Sequence, residues 1–564
     1  MKILEGLSAF SGIAMGPVHF KRKLQFSYLK KSEEGIEEEK RRGKEAFLKS
    51  IAKEEEYYQK ALLEMQNEDA KIFSVHALML SDEILQNSVF SLVQKGHTME
   101  YAVKKAFSKQ ERLFRRMEDP YFRERAEDMQ DILNLMLSIL SGKDVATKEE
   151  PCVLLAEDLG PSDTIRFPKD KLLGFITEKG SLQSHTAILA ASLGIPALVQ
   201  CKGLKGIEDG EYCIIDGEKA VAYFSPTEEV LAYYRELMEK KKEERQELEK
   251  LRDEDCISLD GKRIKLYGNM SSPIDAKKLL KSGAEGIGLY RTEFLFLEEG
   301  KLPSEEKQFQ SYREILEEMK GREVIIRTCD LGADKVLSYH AGAKEENPAL
   351  GLRGIRFCLM EKEMFCTQIR ALLRASAFGK LSVMLPMISS LEEVRESKAL
   401  FHKCRTELEK QGIPMAEKIP LGVMIETPAA VFIAGDLAKE LDFFSIGTND
   451  LSQYLLAIDR QNAMVHSFYH KKHPAILRAI KEVAEKGKQA GISVGVCGEF
   501  AADPDFTAFF LHLGVDKLSM NGPAILPIKK KILSCDSRRN STEFHNIFLY
   551  YHNIFPYYIF LPEV

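Results

Sequence analysis

No apolar run in this 564-residue chain approaches the ~18 unbroken positions that a membrane-spanning helix requires. The first residues, Met1 to Gly16, carry Glu5 and glycines where a secretory signal would have a basic head and an apolar run. Excess charge of either sign is also missing. The formal balance is -6, from 80 basic and 86 acidic side chains, so neither nucleic acid nor an anionic membrane is expected as the main partner. Ten cysteines are scattered with no Cys-x-x-Cys pair among them. That argues against a zinc site and a disulfide framework, and a reducing cytoplasm is the expected location. No Walker A pattern and no Rossmann fingerprint follows a strand, which removes the common nucleotide-phosphate loops. Solenoid repeats and low-complexity tracts are absent too.

The composition is that of a globular protein, 44% hydrophobic and 29% charged, and the length implies several domains. Met1 to about Phe20 reads as short strands with glycine turns. Glu33 to about Gly142 is rich in Glu, Lys, Leu and Ala at helical spacing, with Pro120 its only proline. This predicts a helical bundle, or a pair of helical hairpins, inserted after the first strands. From Pro151 the short apolar runs Val153–Ala156, Gly174–Thr177, Ala197–Gln200 and Tyr212–Ile215 predict a compact α/β unit, with a helix over His185 to Leu193. Thr227 to about Arg252 is a charged helical connector. Beyond Cys256, strands at Lys265–Asn269, Gly286–Tyr290, Glu323–Arg327, Ser382–Pro386, Leu421–Ile425, Phe443–Ile446, Ser493–Val496 and Lys517–Met520 alternate with helices. The pattern suggests a closed (β/α)₈ barrel of about 250 residues. An open doubly wound sheet shares it.

In a barrel, chemistry sits just beyond the C-terminal ends of strands. There the sequence offers Arg291-Thr292-Glu293, Arg327-Thr328-Cys329-Asp330, Glu426, Gly447-Thr448-Asn449-Asp450 and Cys497-Gly498-Glu499. Arginine forks bind phosphate or carboxylate bidentately. Glu426 and Asp450 suit Mg²⁺, which takes one or two protein carboxylates and completes its shell with water and substrate phosphate. Together these groups would neutralise a transferring phosphoryl group. Any one arginine read alone is as well explained by a surface ion pair. The loop Gly180-Ser181-Leu182-Gln183-Ser184 places His185 in the first turn of a helix, with Ser184 as N-cap and Gly194 as stop. Helix N-terminal amides favour anions there, and imidazole is a competent nucleophile near neutral pH. The structural alternative is an ordinary, partly buried histidine. Cys497 is either a buried structural thiol or a proton donor to a bound enolate. In Asp69–Leu80, Phe73, His76 and Met79 form either a bundle core stripe or a partner-docking face.

Gly283–Phe294 (GAEGIGLYRTEF) resembles the signature of the phosphoenolpyruvate-protein phosphotransferases, the Enzyme I family of the bacterial sugar phosphotransferase system. So do Arg370–Lys380 (RALLRASAFGK), Gly422–Ala430 (GVMIETPAA), Phe443–Leu451 (FFSIGTNDL) and Cys497-Gly498-Glu499. The similarity runs from the N-terminus to about Lys531. Related dikinases and synthases need a large ATP-binding domain for which this chain has no room. The resemblance implies a multidomain α/β protein: a phosphohistidine domain over 1–20 and 143–226, a helical insert over 21–142, a linker over 227–255, and a (β/α)₈ TIM-type barrel over 256–532. An atypical tail over 533–564 follows. It implies that phosphoenolpyruvate binds Arg291, Arg327, Asn449, Asp450 and Arg460, with Arg353 a further contact. Mg²⁺ is held by Glu426 and Asp450, His185 Nε2 attacks phosphorus, and Cys497 protonates the enolate. The insert then receives the histidine phosphocarrier protein (HPr), and the barrel domain forms a homodimer.

The chain departs from the family pattern in places. Ser181 and Gln183 stand where a second glycine and a threonine are usual before the histidine. Ala220 and Ala502 each replace a glycine. After Ser534 comes an aromatic tail with Phe544, Phe548, Tyr550, Tyr551, Phe555, Tyr557, Tyr558 and Phe560. Exposed aromatic segments favour aggregation. Gln183 and the tail motivate one alternative, a carrier-binding regulatory protein that transfers slowly or not at all; a second alternative is an enzyme of a nitrogen-related phosphotransfer branch. The retained rim set argues against the first. The second usually carries an additional N-terminal sensory domain.

Overall fold

A computed structural model describes residues 1–20, 35–64, 67–117, 120–142, 150–159, 171–180, 190, 194–273, 275–297, 302–332, 345–460, 462, 464–465 and 468–538. His185, with Ser181, Gln183 and Ser184 before it, lies outside the described residues, as does the aromatic tail from Phe544.

The chain divides into two units, Met1–Lys241 and Lys242–Val564. The first is built on a mixed eight-stranded sheet. Its strands are β1 (Lys2–Glu5), β2 (Leu7–Phe10), β3 (Ile13–Phe20), β4 (Cys152–Ala156), β5 (Leu172–Thr177), β6 (Ala197–Val199), β7 (Tyr212–Asp216) and β8 (Val221–Phe224), in the order β1-β8-β7-β3-β4-β5-β6-β2. β4 lies between two parallel neighbours and all five of its residues are buried, which is why it reads as an unbroken apolar run. β8 is absent from the sequence reading. Only Ala222 and Phe224 face the core, on alternate positions, and four residues are too few for periodicity to register. The Asp216 carboxylate starts the β7–β8 turn by accepting the Glu218 and Lys219 amides at 3.1 and 3.0 Å.

Between β3 and β4 in sequence the described residues form five helices: α1 (Ile36–Glu64), α2 (Asn67–Ser81), α3 (Glu83–Gln94), α4 (Met99–Arg115) and α5 (Pro120–Ser141). Asp82 and Thr98 cap α3 and α4, and Pro120 opens α5, where a missing amide costs nothing. Phe47, Val89, Val93, Phe107, Ile132 and Met136 are among the side chains of their common core. Phe73 and His76 are fully buried, and Met79 packs partly buried against that core. The partner-face reading of these three residues is therefore overturned in favour of the core stripe. Leu78 on α2 and Ile84 on α3, 71% and 80% accessible, are the most exposed of the described large apolar side chains here, with Leu48 on α1 close behind.

Helix α6 (Glu228–Lys250) begins in the first unit, where the Tyr234 hydroxyl donates to Asp216 Oδ2 at 2.7 Å. Its middle is mostly exposed. Past its end, in the second unit, buried Lys529 donates to the carbonyls of Arg252 and Glu254, both at 2.6 Å.

The second unit is a closed parallel barrel. Its strands are β9 (Lys265–Met270), β10 (Gly286–Tyr290), β11 (Val324–Arg327), β12 (Leu381–Leu385), β13 (Leu421–Ile425), β14 (Phe443–Gly447), β15 (Ser493–Cys497) and β16 (Lys517–Met520). β16 pairs back onto β9, and that closure decides against the open sheet. Outward residues such as Val423 and Ile425 pack in the main core of this unit, while Leu289, Ile325, Met384, Met424, Phe443 and Cys497 form a separate cluster. Near the strands' N-terminal ends Glu323 is held by Lys517 at 2.7 Å, Tyr267 at 2.8 Å and Ser382 at 2.9 Å. Among the described residues no helix is long and apolar enough to cross a membrane.

Candidate active site

Strand geometry sets which side chains meet at the C-terminal rim. Successive residues point to opposite faces, so a residue two beyond an inward-facing one also points inward. Leu289, Ile325 and Met424 belong to the inner cluster. Two positions further along come Arg291, Arg327 and Glu426. The apolar cluster thus forms a floor from which the charged groups rise. Cys497, at the end of β15, belongs to the floor itself.

The charges on this floor are buried and compensated. Arg327 is 5% exposed, and its Nη2 pairs with Glu293 Oε1 and, at 3.1 Å, with Asp330 Oδ2. Burial works against its charge, but Glu293, Asp330 and Glu426 outweigh that and hold the guanidinium protonated beyond its ordinary range. Arg353 grips Asp330 through Nε and Nη2 at 3.1 and 3.2 Å, and Asp450 Oδ2 through Nη2 at 3.0 Å. Its Nη1 donates to the Tyr454 hydroxyl at 3.2 Å, which donates to the Ala349 carbonyl. Arg460 reaches the other Asp450 oxygen at 3.5 Å and Glu499 at 3.7 Å.

Glu426 is 1% exposed and accepts the Met387 amide at 2.7 Å. Met387 holds a left-handed backbone, φ 56°, which a non-glycine residue adopts at a cost and most often at functional sites. Burial, then the like charges of Asp450 and Asp330, push the Glu426 carboxyl up to about 8, against the opposing pull of Arg327 and Arg353. A carboxyl raised this far holds its proton at neutral pH, and added positive charge beside it would favour its ionised form. Glu426 and Asp450 are hard oxygen donors, and among the described residues no group of three or more His, Cys, Asp or Glu is placed to hold a metal. The pair therefore fits a cation that draws its remaining ligands from substrate oxygens and water. The Asp450 carboxylate would then be shared between such an ion and Arg353 and Arg460.

The Cys497 thiol is buried, with its Sγ 3.5 Å from the Ile446 carbonyl. Burial pushes it up to about 11, so at neutral pH the group is a thiol, not a thiolate. Gly498, at φ 99°, gives the next residues their approach: a Cβ there would lie 2.5 Å from Thr448 Oγ1 and 2.8 Å from Asn449 Oδ1. Asn449 Oδ1 accepts the Glu499 amide at 3.0 Å, which ties the β14 and β15 loops together.

Of the residues singled out from the sequence, Arg291, Arg327, Arg353, Glu426, Asn449, Asp450, Arg460 and Cys497 all lie on this one rim. His185 belongs to the first unit's stretch of chain and lies outside the described residues. Nearby, the Gln200 side-chain amide holds the Gly180 carbonyl, where that loop begins, at 3.0 Å. Sequence reasoning placed Glu293 and Asp330 at strand ends but missed their part in holding Arg327 and Arg353. Both stand inside the motifs that carry Arg291 and Arg327, and the signal was a carboxylate at an inward-facing or loop position beside a buried arginine.

Comparison with known proteins gives a consistent picture. Three family models match: "PEP-utilising enzyme, PEP-binding domain" over residues 245–537, "PEP-utilising enzyme, N-terminal" over 5–125, and "PEP-utilising enzyme, mobile domain" over 148–220. The chain is 39% identical over 536 residues to the phosphoenolpyruvate-protein phosphotransferase of Bacillus sp. (strain S), covering 94% of this chain and 93% of the relative. It is 40% identical over 537 residues to that of Bacillus subtilis (strain 168), covering 94% of each. The solution structure of an Enzyme I protein (nEIt) aligns with 42% of this chain and 99% of its own at 32% identity, with a TM-score of 0.37.

Proposed function

Since this chain belongs to the PEP-utilising enzyme family, we propose that it is a phosphoenolpyruvate-protein phosphotransferase that loads His185 and passes the phosphoryl group to the carrier HPr. The observation that carries this reading is the barrel rim, where several arginines, two carboxylates suited to a metal and a protonated thiol face one floor.

Arg291, Arg327 and Arg460 bind and orient the phosphate and carboxylate of phosphoenolpyruvate, with Arg353 and Asn449 completing the set. Glu426 and Asp450 hold Mg²⁺, which when bound neutralises charge on the transferring group. His185 Nε2 attacks phosphorus in line. The P–O bond to the enol oxygen breaks and its electron pair leaves with the enolate. Cys497 Sγ–H then delivers a proton to the enolate carbon, and pyruvate departs. The thiol's raised pKa suits this step, because it keeps the proton available at neutral pH.

His185 lies in the segment that, with the first strands, makes the phosphohistidine domain. It must visit the rim and then the helical insert. We take 1–20 with 143–226 as that domain, 21–142 as the carrier-binding insert, 227–255 as the linker, and 256–532 as the barrel through which two copies dimerise. Exposed Leu78 and Ile84 give the insert apolar anchors for a carrier. The location expected for this chemistry is the cytoplasm.

The test is transfer of label from ³²P-phosphoenolpyruvate, with Mg²⁺, to the purified protein and onward to HPr, with His185→Ala alongside. The expected result is acid-labile label on the wild type, none on the variant, and passage to HPr. Absence of label on folded, Mg²⁺-supplied wild type refutes the reading. It would favour a carrier-binding protein disabled at Gln183.

A further inference from the structure

Two arginines of the barrel rim meet on one carboxylate. Asp330 is 2% exposed. Its Oδ2 lies 3.1 Å from Arg327 Nη2, and its two oxygens take Arg353 Nε and Nη2 side-on at 3.1 and 3.2 Å. The backbone is shaped to allow this. Gly332 (φ 113°) and Gly354 (φ 60°) press the Asp330 loop against the Arg353 loop, and the Gly354 amide donates to the Leu331 carbonyl at 2.9 Å. A Cβ on Gly332 would lie 2.2 Å from the Leu352 carbonyl oxygen. One on Gly354 would lie 2.8 Å from Met387 Cβ and 3.2 Å from Asp330 Oδ1. Only glycine at both positions lets the two loops close around the carboxylate.

The consequence lies in which donors remain. Glu293 and Asp330 both engage Arg327 Nη2. Nε has no hydrogen-bond partner among the described residues, and Nη1 meets only the Met424 sulfur at 3.8 Å. The anchoring carboxylates therefore grip one nitrogen and leave donors of the other two for an anion. Buried arginine without such anchors would lose both its charge compensation and its fixed position.

We propose that Asp330 is a positioning residue for phosphoryl transfer, a single carboxylate that sets the spacing and orientation of Arg327 and Arg353 toward the transferring group. The proposal rests on the reading of the rim as the phosphoenolpyruvate site. Asp330 touches neither substrate nor metal in it. Fixing cations in advance matters most where charge and geometry change, so the loss should fall on the chemical step more than on binding.

The experiment compares Asp330→Asn and Asp330→Glu with wild type in single-turnover labelling of the full chain by phosphoenolpyruvate and Mg²⁺. In parallel, His185 is labelled in reverse from phosphorylated HPr, a reaction that bypasses the rim. For Asp330→Asn we expect the maximal rate from phosphoenolpyruvate to fall ~100-fold, with half-saturation within about threefold of wild type and reverse labelling intact, since small misplacements of positioning groups have effects of this order. Asp330→Glu, which keeps the charge but moves it by a methylene, should lie between. A maximal rate within threefold of wild type in Asp330→Asn overturns the proposal, as does a change confined to half-saturation. If Asp330→Asn does not fold, unimpaired transfer by Asp330→Glu overturns it. A wild type that cannot be labelled by phosphoenolpyruvate overturns instead the reading of the rim on which the proposal stands.

Discussion

Ala220 closes the β7–β8 hairpin with φ 57°, and its carbonyl accepts the Gly6 amide at 3.0 Å. A left-handed backbone costs an L-residue about 1–2 kcal/mol. Glycine removes that cost but adds roughly 0.5–1 kcal/mol of chain entropy to be lost on folding. Ala220→Gly should therefore stabilise the first unit by about 0.5–1 kcal/mol, read as a higher urea midpoint with unchanged His185 labelling. A lower midpoint would show that the methyl group's packing outweighs the strain. The family pattern already marked Ala220 as a departure in sequence, yet the sign of its effect required the turn geometry. Arg291, Arg327, Glu426 and Cys497 were legible because a strand's end and its two-residue alternation are local facts. The pairings of Glu293 and Asp330 were not, because which carboxylate meets which arginine is settled across neighbouring strands and loops. For the same reason Phe73 and His76 left two readings open: helical spacing gives a stripe but not what covers it.

At the scale of elements, three bundle helices meet at one histidine. His76 on α2 has Nδ1 at 3.3 Å from Glu54 Oε2 on α1, and Nε2 at 3.6 Å from Asp128 Oδ1 on α5. The second contact is an ion pair, too long for a hydrogen bond. Arg125 also pairs with Asp128, at 2.6 Å. Burial alone would lower the imidazole's pKa, but Asp128 and Glu54 outweigh it and bring it up to about 9. A histidine with a folded pKa above its unfolded value of about 6.5 stabilises fully below 6.5, and that contribution is lost as pH rises through 9. Asp128, held below the usual carboxylate range by His76 and Arg125 against the effect of burial, contributes stability at neutral pH that is lost as pH falls through its folded value. Amide exchange of α1, α2 and α5, corrected for intrinsic rates, should show protection falling between pH 7 and pH 9.5 while the barrel strands change less. His76→Leu should remove that pH dependence. At pH 7 it should also destabilise the bundle by about 3–5 kcal/mol, because two carboxylates then lose their buried cation. Equal pH dependence in wild type and His76→Leu would assign the effect to other groups.

For the whole molecule, the proposed chemistry divides a single transfer between two units joined by α6. That helix is anchored in the first unit through Tyr234 and Asp216, and the chain beyond it is anchored in the second through Lys529. Its exposed middle, Lys242–Glu247, contributes no core side chain. Under this division the linker's task is to keep His185 at a high effective concentration near the rim, roughly millimolar for a short tether. A protease site inserted within Lys242–Glu247 tests this in the full chain. Uncut protein should label from phosphoenolpyruvate at a rate per molecule independent of protein concentration. After cutting, transfer becomes bimolecular between the halves. At ~1 μM it should slow about 10²–10³-fold and rise in proportion to concentration. Labelling from phosphorylated HPr should be unaffected, since carrier face and histidine stay on one fragment. Fast, concentration-independent labelling after complete cutting would mean that contacts other than the tether hold the two units in register, and the linker would then be a spacer with no part in the rate.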